Sequence, residues 1–227
     1  MNCSDIVGRN YFLNKSQSEE ENKFPIAFAR IINQDYRFLE AELATNYRPQ
    51  NWYCFAVDSK SSETFYQNIL SLSNCFSNII VPKERFTVDN AGHGIGKALL
   101  SCFKELIKKE RKWEYLVTLQ NHDIQIKTNE EIVQIFKWLD GACDADYYLD
   151  SKLQKLNLAS GNIQASLARP FVDFIVNKLD LNKMLDQLDN WEAFFIQKLL
   201  TFDQLQAPNS FTHKCIDQKI NLPYVTR

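Results

Sequence analysis

The residues with chemical potential fall in a few short strings. Asp144-Ala145-Asp146 alternates two carboxylates, a form suited to holding a hard divalent cation such as Mg²⁺ or Mn²⁺. The tripeptide follows a helix-like stretch and precedes Tyr147 and Tyr148, so on residue type alone it reads as a solvated loop. Residues 91–98 (AGHGIGKA) have the look of a phosphate-cradling loop, but Ala98 stands where such a loop needs a metal-binding hydroxyl. That string reads as a flexible turn entering a helix, at the border of a ligand at most. His93, His122 and His213 have no metal-ligand spacing, and no GxSxG string is present. Asp58, Asn121 and Asp123 stand at or just after the ends of apolar runs, and Glu192 opens a helix-like stretch, where an acid suits the dipole.

These residues need a frame. Residues 24–32, 52–58, 78–82, 114–120 and 158–167 are apolar runs suited to buried strands. Between them, residues 61–72, 98–109, 128–139 and 169–178 have helical character, as does a shorter stretch around Phe38, Leu39, Glu42 and Leu43. Thr128 followed by Glu131 predicts a capping box. Strands alternating with helices predict an α/β domain with a mostly parallel sheet. Ligands of such sheets bind beyond the carboxyl ends of the strands, which makes Asp58, Asn121 and Asp123 candidates. Residues 1–23 are polar and read as a tail, leaving 24–227 as a single domain.

The chain has 227 residues and a formal net charge of −2, so no global basic field is present to hold nucleic acid or an anionic membrane. No apolar run approaches the roughly 20 residues that span a bilayer, and the first residues lack a signal-peptide pattern. Six cysteines occur without a CxxC pair. Asn2-Cys3-Ser4 and Asn14-Lys15-Ser16 match the N-glycosylation pattern, which with an even cysteine count leans toward an oxidising compartment. Free thiols in a cytosolic protein are the alternative.

Several strings, taken in order, resemble one family. FPIAFARIINQDYRFLEAEL, YRPQNWYCFAVDSKSSETF, NCFSNIIVPKE, WEYLVTLQNHDIQIKTNEEIV and SGNIQASLARPFVDFIVN are similar to segments of the core-2/I-branching β-1,6-N-acetylglucosaminyltransferases, from about Phe24 to about Leu200. The most specific are PQNWYCFAVDSKS and the string that runs from Asp123 through IKTN to Ile132.

The resemblance implies a GT-A-like fold and inverting transfer of N-acetylglucosamine from UDP-GlcNAc to a glycan hydroxyl, with UDP-xylose as a donor in related members. It implies a metal-independent reaction with no cofactor, so Asp144 and Asp146 need not hold a cation. By position, Ile31, Ile32, Asn33, Asp58, Ser59 and Lys60 would surround the uridine, and Asn90 would lie near the nucleotide. Asn33 replaces a family histidine. Glu192 falls on the family's general base, although Asp189-Asn190-Trp191-Glu192 keeps only the glutamate of its string. The resemblance also implies disulfides Cys3–Cys75 and Cys54–Cys102, leaving Cys143 and Cys215 to pair or stay free. It implies a lumenal Golgi protein on a membrane anchor that is missing from this chain. The family's C-terminal basic residues, which stabilise the departing UDP, are expected to lie beyond Arg227. A fold-retaining but inactive homologue that acts as a binding or partner protein, and a cytosolic nucleotide-binding protein using the Gly92–Lys97 loop, are the other readings.

Overall fold

The computed structural model describes residues 2–89, 91–146, 148–149, 159–187 and 195–211. Strands β1 (Ile26–Ile32), β2 (Trp52–Val57), β3 (Ile79–Ile80) and β4 (Tyr115–Leu119) are parallel neighbours in the order β3-β2-β1-β4. The sheet continues beyond β4 with β8 (Ala165–Ala168) and β5 (Asp144–Ala145), where β8 is antiparallel to both of its neighbours. A separate two-stranded ribbon pairs β6 (Tyr148–Leu149) with β7 (Ala159–Ser160). The expected α/β class with a mostly parallel sheet is the observed one.

The helices are α1 (Cys3–Arg9), α2 (Glu19–Lys23), α3 (Tyr36–Asn46), α4 (Glu63–Cys75), α5 (Ile95–Ile107), α6 (Asn129–Leu139), α7 (Arg169–Asn177), α8 (Leu181–Gln187) and α9 (Phe195–Thr201). Helix α5 packs on β1 and β2, α7 packs on β4, and α5 and α7 touch each other. Every residue of β1 is buried, as expected for a central strand covered on both faces. Arg30 is the charged member of that strand, and its guanidinium meets Glu42 of α3 at 3.0 Å. At the start of α6 the predicted capping box is present, with Thr128 and Glu131 each bonded to the other's backbone N–H.

Three expectations are corrected. The N-terminal segment is a docked part of the domain, not a tail. Ile6 is fully buried, Cys3 is bonded to Cys75, and Arg9 pairs with the buried Glu40 at 2.7 Å. Glu21 of α2, also buried, accepts from Asn129 Nδ2 at 2.9 Å, and Asn129 Oδ1 in turn accepts from Asn51 Nδ2 at 2.7 Å. Glu21 and Arg9 therefore tie the segment to buried partners, while most of its other polar residues face solvent. Second, the single strand expected over 158–167 is two strands in different sheets. They part at Gly161, where an added Cβ would lie 1.8 Å from the carbonyl oxygen of Asp146. Third, Asp144 is not in a loop but in the edge strand β5, with Ala145 paired to Ala165.

Candidate active site

The sheet order reverses between β1 and β4: from β1 the chain proceeds to β2 and β3 on one side, then crosses to β4 on the other. Loops leaving the carboxyl ends of β1 and β4 must diverge there and leave a crevice. A cleft of about 440 Å³ occupies that place. Its walls come from Ile31, Ile32 and Asn33 at the end of β1, Asp58 after β2, and Gln120 and Asn121 after β4. Val88, Asp89, Ala91, Gly92 and Ile95 close one side, and Gly161–Ile163, leading into β8, close the other. A second groove of about 570 Å³ shares Asn33, Asp58, Val88 and Asp89 with it and extends toward Lys60 and Ser61.

Asp58 is the most constrained polar group of the cleft, with 4% of its surface exposed. Its N–H donates to the Ile32 carbonyl at 2.9 Å, which holds the end of β2 against β1. Oδ1 accepts from the Lys60 N–H at 2.9 Å, while its carbonyl accepts from Arg85 Nη2 at 2.8 Å. Oδ2 has no partner among the described residues. A buried carboxylate oxygen left open in a cleft is an acceptor for an N–H or O–H of a ligand.

The neighbouring loops are held by local bonds. Ser59 N–H donates to the Phe86 carbonyl, and its Oγ lies 2.7 Å from Thr87 Oγ1. Asp89 accepts from the N–H groups of Ala91 and His93, and its Oδ2 lies 2.6 Å from His93 Nδ1. That imidazole contact, with the backbone bonds, holds the Asp89 carboxyl below the usual carboxylate range. Gly94 has φ +73°, and an added Cβ there would lie 2.0 Å from the Thr87 carbonyl oxygen, so glycine is required to turn the loop into α5. The string around Gly92 is thus a turn at the cleft's border. Lys97 points elsewhere, pairing with Asp186 at 2.7 Å.

Of the residues expected around a uridine, Ile31, Ile32, Asn33 and Asp58 line the cleft and Lys60 lines the adjoining groove. Ser59 supports the loop between them. Asn90 and Glu192 lie outside the described residues, as do His213 and Cys215. Cys3–Cys75 and Cys54–Cys102 are both bonded, and Cys143 is buried without a disulfide. Asn2 caps α1 by accepting from the Asp5 N–H at 2.8 Å, and Asn14 is exposed. Asp123 does not line the cleft. Its Oδ2 instead accepts from the Gln120 N–H at 2.7 Å and Gln164 Nε2 at 2.9 Å, holding the exit of β4.

The residues not foreseen are Val88, Asp89, Gln120 and Gly161–Ile163. Val88 and Asp89 follow an irregular stretch, and Gly161–Ile163 precede a strand that joins the sheet antiparallel, so no strand-end rule pointed to those five; Gln120, the last residue of the run 114–120, was counted with the strand itself. Among the described residues, no group of three or more His, Cys, Asp or Glu side chains is placed to hold a metal ion, and no helix is long and apolar enough to cross a membrane.

A family model described as core-2/I-branching enzyme matches residues 26–152. A human β-1,3-galactosyl-O-glycosyl-glycoprotein β-1,6-N-acetylglucosaminyltransferase is 35% identical over 139 residues, covering 61% of this chain and 32% of that protein. A human N-acetyllactosaminide β-1,6-N-acetylglucosaminyl-transferase is 32% identical over 139 residues, again 61% of this chain and 35% of that protein. The chain spans about a third of the length of these relatives. Among solved structures, the mannosyltransferase Ktr4p from S. cerevisiae aligns with TM-score 0.32 and 11% identity over 91% of this chain and 66% of that one.

Proposed function

Because the chain belongs to the core-2/I-branching enzyme family, we propose that the cleft at the β1–β4 reversal binds the uridine of UDP-GlcNAc and that the domain transfers N-acetylglucosamine to a glycan hydroxyl with inversion. The observation that carries this reading is Asp58: a buried carboxylate at a strand's carboxyl end, one oxygen fixed by backbone and the other open to the cleft. An acceptor in that position suits a nucleoside's N–H or ribose hydroxyl. Ile31 and Ile32 supply the apolar floor under a base, and Lys60 supplies a cation in the adjoining groove.

In the proposed reaction the acceptor hydroxyl oxygen attacks C1 of the sugar as the bond from C1 to the UDP oxygen breaks. Glu192 takes the hydroxyl proton, and UDP leaves with the bonding electron pair. One displacement inverts C1. The donor is bound without a metal ion, the acceptor is an O-linked glycan on a glycoprotein, and the reaction takes place in the Golgi lumen. Both human relatives are named for β-1,6-N-acetylglucosaminyl transfer, which supports the donor and the linkage class.

Calorimetric titration with UDP in the presence of a metal chelator tests the cleft. Wild-type protein is expected to bind, and Asp58→Ala to lose at least about tenfold in affinity, the equivalent of one good hydrogen bond. No binding by the wild type, or equal binding by the variant, overturns the assignment. Glu192→Gln tests the chemistry: transfer is expected to disappear while UDP binding stays. UDP binding without transfer by the wild type would instead favour a fold-retaining binding protein.

A further inference from the structure

Resting on the nucleotide-cleft reading, we propose that Asn162 is a specificity-determining residue that binds the sugar of the donor, and that Asp146 and Gln197 are positioning residues that aim it. The antiparallel β4–β8 pairing places the chain entering β8 at the carboxyl end of β4, where Asn162 and Asn121 line the same cleft as Asp58. Both Asp58 and Asn162 line the cleft. They lie at the ends of β2 and β8, which are three strand spacings apart, or about 14 Å. A ligand whose nucleoside meets Asp58 and whose diphosphate crosses β1 and β4 brings the group on its far phosphate to Gly161–Ile163.

That wall is held from both sides. Asn162 Nδ2 donates to Asp146 Oδ2 at 2.8 Å, and its carbonyl oxygen accepts from Gln197 Nε2 at 2.5 Å. Gln197 is fully buried in α9, and the carbonyl of Asp146 leaves no room for a side chain at Gly161. The carboxylate holds the Asn162 amide nitrogen and the glutamine holds its main chain, which leaves the amide oxygen turned away from Asp146. Its Oδ1 has no partner among the described residues, and Asn162 is solvent-exposed at the cleft. An open amide oxygen accepts from a neutral donor, a hydroxyl or an amide N–H, and is poorly suited to phosphate. This gives the Asp144-Ala145-Asp146 string a role: its second carboxylate orients a sugar-binding asparagine.

The test compares UDP with UDP-GlcNAc and UDP-glucose on wild type, Asn162→Ala, Asp146→Ala and Asp146→Asn. Asn162→Ala is expected to leave UDP affinity within about twofold and to weaken the UDP-sugars roughly five- to tenfold. Loss for both sugars assigns the contact to a hydroxyl; loss for UDP-GlcNAc alone assigns it to the acetamido N–H. Asp146→Ala follows Asn162→Ala, and Asp146→Asn, which keeps an oxygen for Asn162 Nδ2, restores sugar binding. Equal change in UDP and UDP-sugar affinity, or none in either, overturns the proposal while leaving the cleft reading standing. A wild type that binds no UDP overturns both. Thermal melting of each variant separates a loss of fold, which would reduce UDP binding as well.

Discussion

One side-chain oxygen, Oδ1 of Asn121, accepts the backbone N–H of Asn33 at 2.8 Å and that of Gln34 at 3.2 Å. Asn121 Nδ2 returns a bond to the Gln34 carbonyl at 3.2 Å. The loop leaving β4 therefore caps the end of β1 directly across the reversal point, on the floor of the cleft. Because these groups are solvent-accessible, water can replace the asparagine and Asn121→Ala should cost only about 1 kcal/mol of stability. Its effect on ligand should be larger: the β1 exit is no longer fixed, so UDP affinity should fall roughly tenfold. Calorimetry set beside denaturant unfolding checks whether binding falls further than stability.

The pair Arg30–Glu42 predicts the opposite balance. The guanidinium is 4% exposed inside β1, its Nη2 donates to the Asp123 carbonyl at 3.0 Å, and Glu42 lies at 3.0 Å. Removing one partner strands a buried charge, so Arg30→Met should destabilise by about 3–5 kcal/mol. Arg30→Met combined with Glu42→Leu should recover most of that loss, since a desolvated ion pair and an apolar pair of similar volume are close in net stability. Urea unfolding of the two singles and the double gives the coupling directly. Additive losses would show that the charges do not act as a pair.

The parts legible in the sequence were those set by neighbours along the chain. The apolar runs at 26–32, 52–57 and 115–119 are strands because a covered parallel sheet buries both faces. Thr128 and Glu131 cap α6 because they stand three residues apart. Asp58 followed from the strand-end rule, and the two formed disulfides from the family resemblance. What was not legible depends on partners far apart. Nothing beside Glu21 announces Asn129, 108 residues on, and nothing beside Asp146 announces Asn162. Polar residues whose partners arrive only through topology look like solvent-facing ones, which is why the N-terminal segment read as a tail and the acidic string as a loop.

The two disulfides should differ in their response to reductant. Cys54 and Cys102 are fully buried between β2 and α5, whereas Cys75 is only partly buried and Cys3 lies on the exposed start of α1. Mild reduction followed by alkylation and peptide mapping should label Cys3 and Cys75 first. The lost cross-link closes a span of 72 residues, so stability should drop by roughly 4 kcal/mol on chain-entropy grounds, with α1 the first segment to lose hydrogen-exchange protection. Simultaneous labelling of all four cysteines would show that the first bond cannot open without global unfolding.

Lys198 carries the pH dependence. It sits in α9 with 7% of its surface exposed, and burial pushes its ammonium down to about 8 from the ordinary 10.5. Below about pH 8 the lysine is charged in folded and unfolded chains alike, and the full cost of burying the charge is present. Between about 8 and 10.5 the folded state sheds the proton while the unfolded chain keeps it. The unfolded state then binds more protons, so stability must rise with pH through that window, by on the order of 3 kcal/mol in all. Tyrosines oppose it at the upper end: Tyr115 is pushed up to about 12 by burial, so above pH 10 the unfolded chain loses tyrosine protons that the native state retains. The rise attributable to Lys198 should therefore be clearest from pH 8 to 10, and Lys198→Met should remove it. Urea unfolding of both proteins at intervals across that range checks the slope, and parallel curves for wild type and variant would show that Lys198 does not titrate there.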